Sequence, residues 1–141
     1  MAGKLSIGFL DYSFIAIGGA LGASFRFFLT IVFQNQRHIY SIGLPSLPIS
    51  TLLINMLGSL AIGVFYFFFS KGILANDSIR FFAVIGFLGA FTTFSTFSLE
   101  TFVLLEEGNI STAILYIFLS VSVCILSTFV GINTMRILYG P

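Results

Sequence analysis

Thr92-Thr93-Phe94-Ser95-Thr96-Phe97-Ser98 puts five hydroxyl residues and two aromatic rings into seven consecutive positions, three residues after the start of Gly89-Ala90-Phe91. Hydroxyls can cap a helix that has been interrupted, or bond back to the carbonyls of an unbroken one. The spacing allows both readings: a break near residues 89–93 with a second short helix beyond it, or one continuous helix. A break inside an apolar segment is tolerated where the freed backbone lines a cavity or binds an ion, which makes its carbonyls candidate cation ligands. Phe94 and Phe97, three apart, share a side of the following helix. Such rings usually pack or face lipid, yet the edge of a ring is electropositive and can meet a small anion in a narrow dry site.

Asn55 lies in the middle of the uncharged run Ile49–Ser70, with Thr51 and Ser59 four residues to either side. The three share one helical face. An unpaired amide is costly in hydrocarbon, so Asn55 bonds a neighbouring helix or donates its NH2 to an anion. Tyr116, Ser120, Cys124 and Thr128 recur every four residues, with Ser127 beside them, as a weakly polar track suited to a pathway wall or to bonds between helices. Arg26 stands near the end of the first apolar stretch, placed to snorkel to headgroups, to bond protein carbonyls or to attract anions. Glu100 bounds the third stretch.

The central parts of the apolar stretches contain no carboxylate and no His, and the chain has no nucleophile–base pair, metal-ligand cluster or phosphate loop. That argues against an enzyme. A net charge of +1 offers no field for nucleic acid. Cys124, the single cysteine, cannot form an intramolecular disulfide and reads as a small packing residue. His38 reads as a solvated loop residue.

With 57% hydrophobic and 8% charged residues, the chain cannot cover a water-facing surface; its solvent is lipid. A bilayer needs about 20 mostly apolar residues per helix, and four stretches qualify, at about residues 13–33, 49–70, 79–105 and 110–136. The fold class is therefore all-α: one integral-membrane domain of four transmembrane helices over residues 1–141, the third broken. The first stretch reads as a retained span and not a signal peptide, because Asp11 interrupts its start and it runs on past Arg26. Gln34–Pro48 reads as an irregular interfacial loop, Asn76-Asp77-Ser78 as the N-cap of the third helix, and Glu106–Asn109 as a tight reversal that makes the third and fourth helices antiparallel neighbours. Lys4, Lys71, Arg80 and Arg136 fall on one side, which leans towards cytoplasmic termini. Gly18, Gly19, Gly22, Ala23, Gly58, Gly63, Gly86 and Ala90 thin the helices for close packing, within one subunit or between two. Phe67 and Phe68 read as lipid-facing.

Taken in order, Gly18-Gly19-x-x-Gly22-Ala23-x-x-Arg26, Thr51-x-x-x-Asn55-x-x-Gly58 and Gly86-x-x-Gly89-x-x-Thr92-Thr93-Phe94-Ser95-Thr96-Phe97-Ser98-x-Glu100 resemble the CrcB/Fluc family of fluoride channels. The resemblance implies an antiparallel, dual-topology homodimer in the cell membrane of a prokaryote (inner or plasma membrane), with two fluoride pathways along the subunit interfaces. It implies Asn55 as the pore-lining amide and Phe94 and Phe97 as rings whose edges meet fluoride. Ser95, Thr96, Ser120 and Thr128 would supply hydroxyls, with Thr51 and Tyr116 on the same pathway. A structural sodium ion would sit at the dimer centre, held by the Gly89 and Thr92 carbonyls of both subunits, and Arg26 and Glu100 would play supporting parts. Cys124 departs from the Ser of the family's polar track. A small multidrug exporter would share the four-helix antiparallel dimer but needs a membrane carboxylate, and only Glu100 comes close. A non-transporting assembly subunit would have no use for Asn55 and the hydroxyl cluster in lipid.

Overall fold

The computed structural model describes residues 8–35 and 47–140. His38 and most of the Gln34–Pro48 connection lie outside them. Every regular element among the described residues is a helix, and four helical segments are long and apolar enough to cross a membrane. Helix α1 runs Phe9–Asn35, α2 Ile49–Ser70, and α6 Ile110–Tyr139. The third span is composite: α3 (Asp77–Ile79), a π-helix (Arg80–Leu88), α4 (Gly89–Phe91) and α5 (Phe94–Glu106). Each span reaches the length expected from its apolar run, and three extend beyond it by a few residues.

The ends are set locally. Asn76 caps the third span, its side-chain oxygen accepting from Ser78 N–H at 2.8 Å. The reversal into α6 turns on Gly108, whose φ of +77° suits a residue without a β-carbon. Asn109 N–H then reaches back to the Leu104 carbonyl at 2.9 Å. This makes α5 and α6 neighbours as expected, but the main partner of α6 is α2. The first half of the third span packs instead on α1.

Both packings rest on glycine. A β-carbon on Gly18 would fall on the Phe82 carbonyl oxygen, and one on Gly22 on that of Phe87. Gly63 and Gly131 do the same across α2 and α6, against Thr128 and Leu60. The small-residue ridges are therefore used inside the subunit. They also account for the π-helix, which the sequence reading did not foresee. Residues five apart on an α-helix differ by about 140° in direction, so the Phe82 and Phe87 carbonyls would not share a face. Wider winding aligns them with Gly18 and Gly22, which lie one α-turn apart. Gly89 N–H accordingly reaches the Val84 carbonyl as well as that of Gly86.

Two buried clusters result. Ile54, Leu88 and Phe91 lie where α2 meets the third span, and Phe97, Leu104, Ala113 and Tyr116 lie between α5 and α6. Phe67 corrects an expectation: it is 2% exposed, with its ring against Phe68 and Tyr139. Helix α2 is covered by α6 on that side. Rings such as Phe118 and Phe129, 67% and 62% exposed, are the ones that face outward.

Candidate functional site

Helicity stops at Thr92 and Thr93, whose backbones are extended (ψ 156° and φ −150°, ψ 113°). Their sequence supplies the means. Thr92 Oγ1 and Thr92 N–H both donate to the Leu88 carbonyl, at 2.9 and 3.0 Å, ending the first half. Thr93 Oγ1 accepts from Thr96 N–H at 3.1 Å, capping α5, and donates to Thr96 Oγ1 at 2.9 Å. Ser95 Oγ lies 3.3 Å from the same hydroxyl.

Two side chains from other spans hold this joint. Asn55 Nδ2 donates to the Thr93 carbonyl at 3.0 Å while Asn55 Oδ1 accepts from Thr93 N–H at 2.8 Å. One amide thus satisfies both backbone groups of a half-buried extended residue within an apolar span, which lipid could not do. Arg26 Nε donates to the Ala90 carbonyl at 3.1 Å, so of the three roles open to it the protein-carbonyl bond is the one formed. In a continuous helix the Gly89 carbonyl would accept from Thr93 N–H and that of Thr92 from Thr96 N–H. Asn55 and Thr93 Oγ1 have diverted both donors. Backbone oxygens released in this way are hard donors suited to a hard cation. Among the described residues no three His, Cys, Asp or Glu side chains converge on a metal position.

Beside the joint lies a cavity of about 450 Å3 between α2, the third span and α6. Asn55, Gly89, Thr92, Phe94, Phe97 and Ser120 all line it, with Ser59 and Cys124. Gly58 opens it, because a β-carbon there would strike Thr92 Cγ2. The Phe94 and Phe97 rings are 5.3 Å apart at 53°. Phe97 is buried and continues to the Tyr116 ring at 5.2 Å, whereas Phe94 is 77% exposed at the rim. Ser120 is buried, and its Oγ is the one buried side-chain polar atom without a hydrogen-bond partner among the described residues.

Other expected track residues lie elsewhere. Thr51 Oγ1 donates to Glu100 Oε1 at 2.8 Å and Tyr116 OH to Glu100 Oε2 at 2.7 Å. Each carboxylate oxygen thereby gains a hydroxyl, a pairing across three spans that the sequence reading missed. Its only signal was a carboxylate beside an apolar run that also held hydroxyls on the neighbouring spans. Thr128 Oγ1 donates to the Ser59 carbonyl at 3.0 Å, tying α6 to α2 at the Gly63 contact. Ser95 and Thr96 serve the α5 cap and do not line the cavity.

A family model described as CrcB-like protein, Camphor Resistance (CrcB), matches residues 13–132. The chain belongs to the CrcB-like family. The match takes in Arg26, the whole joint and all residues lining the cavity. Among CrcB-like relatives, a protein of Citrifermentans bemidjiense named fluoride-specific ion channel FluC is 40% identical over 89% of this chain and 96% of its own length. Proteins of the same name from Pseudoalteromonas translucida (40% identical, over 84% and 94% of the two chains) and Magnetococcus marinus (34%, over 92% and 100%) are similarly related.

Proposed function

We propose that this CrcB-like chain is a fluoride channel, passive and not an enzyme, in the inner or plasma membrane of a prokaryote. The observation that carries the reading is the cavity wall. It gathers one amide, two aromatic rings and the hydroxyl residues Ser59, Thr92, Thr93 and Ser120 among apolar neighbours, with no charged side chain lining it. Such a wall replaces the water around a small, strongly hydrated anion with N–H, O–H and ring-edge dipoles. In a dry site these weak dipoles count for more than in water. The absence of a fixed positive charge leaves the ion free to move on. The names of the relatives point the same way.

The working unit in this reading is an antiparallel homodimer of dual topology with two pathways. Phe94 supports it, being a cavity-lining ring left 77% exposed by its own subunit. A second copy would close that rim. The Gly89 and Thr92 carbonyls of both copies would hold a sodium ion at the centre, which would supply positive charge to tie the two joints together. Fluoride enters cells as neutral HF from acid surroundings, ionises, and accumulates. A negative-inside potential then drives the anion outward, at about 2.3 kcal/mol per charge for 100 mV.

Efflux from liposomes containing the purified chain tests the reading. Fluoride should leave rapidly while chloride stays behind, and equal fluxes of the two would end it.

A further inference from the structure

Gly58 differs from the other close-packed glycines. At Gly18, Gly22, Gly63, Gly86 and Gly131 an added β-carbon would fall on the backbone of a neighbouring helix, whereas at Gly58 it would strike a side-chain methyl, Thr92 Cγ2. That methyl cannot turn aside. Thr92 Oγ1 donates to the Leu88 carbonyl at 2.9 Å, and fixing the hydroxyl of a β-branched side chain fixes its methyl as well, since both hang on one β-carbon. The backbone behind it is held too: Thr92 N–H donates to the same carbonyl at 3.0 Å, and Asn55 bonds both the N–H and the carbonyl of Thr93. Asn55 and Gly58 lie three apart on α2 and share a face. One face of α2 therefore grips the joint twice, by an amide on Thr93 and by a socket for the methyl of Thr92. Helix α5 begins directly after the joint, at Phe94, so the seating of the joint carries Phe94 and Phe97 with it, and both rings line the cavity with Asn55.

We propose that Gly58 is a positioning residue for the fluoride pathway: its missing β-carbon seats the Thr92 methyl against α2 and so sets where the Phe94 and Phe97 rings stand relative to the Asn55 amide. The proposal rests on the channel reading above. Carbon atoms rest about 3.5–4.0 Å apart, and the β-carbon added by Gly58→Ala falls well inside that distance of Thr92 Cγ2. The joint must then move off α2, and α5 with it. The Phe91 ring, 3.3 Å from the same β-carbon, has to give far less. Thr92→Ser removes Cγ2 alone, keeps the hydroxyl that bonds Leu88 and leaves a methyl-sized hole at Gly58. Made together, the two changes move one methyl from residue 92 to residue 58 and conserve volume, the kind of swap that packing tolerates best.

The full-length parent, Gly58→Ala, Thr92→Ser and the double variant are compared in liposomes by fluoride efflux and by amide hydrogen exchange over residues 89–98. Gly58→Ala should lower efflux by at least about tenfold, a change of about 1.4 kcal/mol in barrier. Thr92→Ser should lower it as well. The double variant should conduct better than either single change and return to within about threefold of the parent, a rescue that independent losses cannot produce. A double variant worse than both singles would overturn the proposal, and so would parental efflux from Gly58→Ala. Where Gly58→Ala does not fold, Thr92→Ser against the double variant decides: recovery keeps the proposal, and further loss of efflux or of folded protein removes it. If the parent passes no fluoride, the channel reading fails separately and hydrogen exchange decides the socket. The Thr93 amide, which donates to Asn55 Oδ1, should then exchange at least about tenfold faster in Gly58→Ala and regain the parental rate in the double variant; exchange indifferent to both changes removes the socket.

Discussion

Asn55 holds the extended Thr93 residue with both ends of its amide and lines the cavity with the same group. Asn55→Asp keeps an acceptor for Thr93 N–H but loses the donor to the Thr93 carbonyl and sets a carboxylate against that oxygen. A hydrogen bond to a charged species contributes about 1.5–3 kcal/mol, so losing the donor to the anion alone should lower efflux by about 10–100-fold. The variant should also melt at a lower temperature in detergent. Unchanged efflux from a folded protein would take Asn55 out of the pathway. The rings permit a cleaner comparison. Phe94 is exposed in its own subunit, so Phe94→Ile removes a positive ring edge with little loss of internal packing. Phe97→Ile removes the same edge and also loosens the contacts with Leu104 and Tyr116. Fluoride efflux should drop strongly in both, with some flux kept by Met, whose S-methyl group is weakly positive. Phe118→Ile, on an outward ring, should conduct as the parent does. Should Ile at both positions conduct like Phe, the rings are packing residues only.

The third span is where local and distant forces meet. Gly22 and Gly89 both belong to helices, but only Gly22 is closely backed, by the backbone of Phe87. Gly22→Ala should therefore force α1 away from the π-helix at a cost of about 1–3 kcal/mol, as overpacking does. Gly89→Ala meets nothing nearer than the Val84 carbonyl at 3.7 Å and should leave packing intact. Thermal unfolding of the two variants, measured side by side, checks this; equal losses would refute the close-approach argument. The same contrast explains how much of this span was legible in the sequence. Hydropathy alone set the spans, because lipid demands a fixed apolar length. Thr92, Thr93 and Thr96 carry their capping chemistry in adjacent positions, so a capped joint could be read from the string. The winding of Arg80–Leu88 could not, since it answers to Gly18 and Gly22 on another helix. Nor could the partners of Thr51, Tyr116 and Thr128: spacing placed Thr51 on the Asn55 face and the other two on the fourth-helix track, and tertiary contacts sent them to Glu100 and Ser59.

At the scale of the whole molecule, α1 with the first half of the third span and α2 with α6 form two packed pairs that meet at the Thr92–Thr93 joint. The Gly89 and Thr92 carbonyls sit at that meeting point with their helical donors diverted. If sodium holds two such joints together, a ligand that binds only the assembled state raises stability by about 1.4 kcal/mol for each tenfold rise in concentration above its dissociation constant. The detergent-solubilised protein should melt higher as sodium replaces N-methylglucamine, and its dimer should dissociate when sodium is withdrawn. A melting temperature indifferent to sodium would remove the ion from the assembly.

The bond from Arg26 to the Ala90 carbonyl spans 64 positions of the chain, and it sets a schedule for biosynthesis. At 5–20 residues per second a ribosome takes about 3–13 s to make that interval. During that time the guanidinium has no carbonyl of the third span to bond, and an arginine within a lone apolar helix is costly, with about 2.5–3.5 kcal/mol at a helix centre as the upper bound on insertion scales. The nascent first helix must therefore wait with Arg26 drawn towards the headgroups or shielded by the insertion machinery. It can settle to its final depth only once Ala90 has been synthesised and has entered the bilayer.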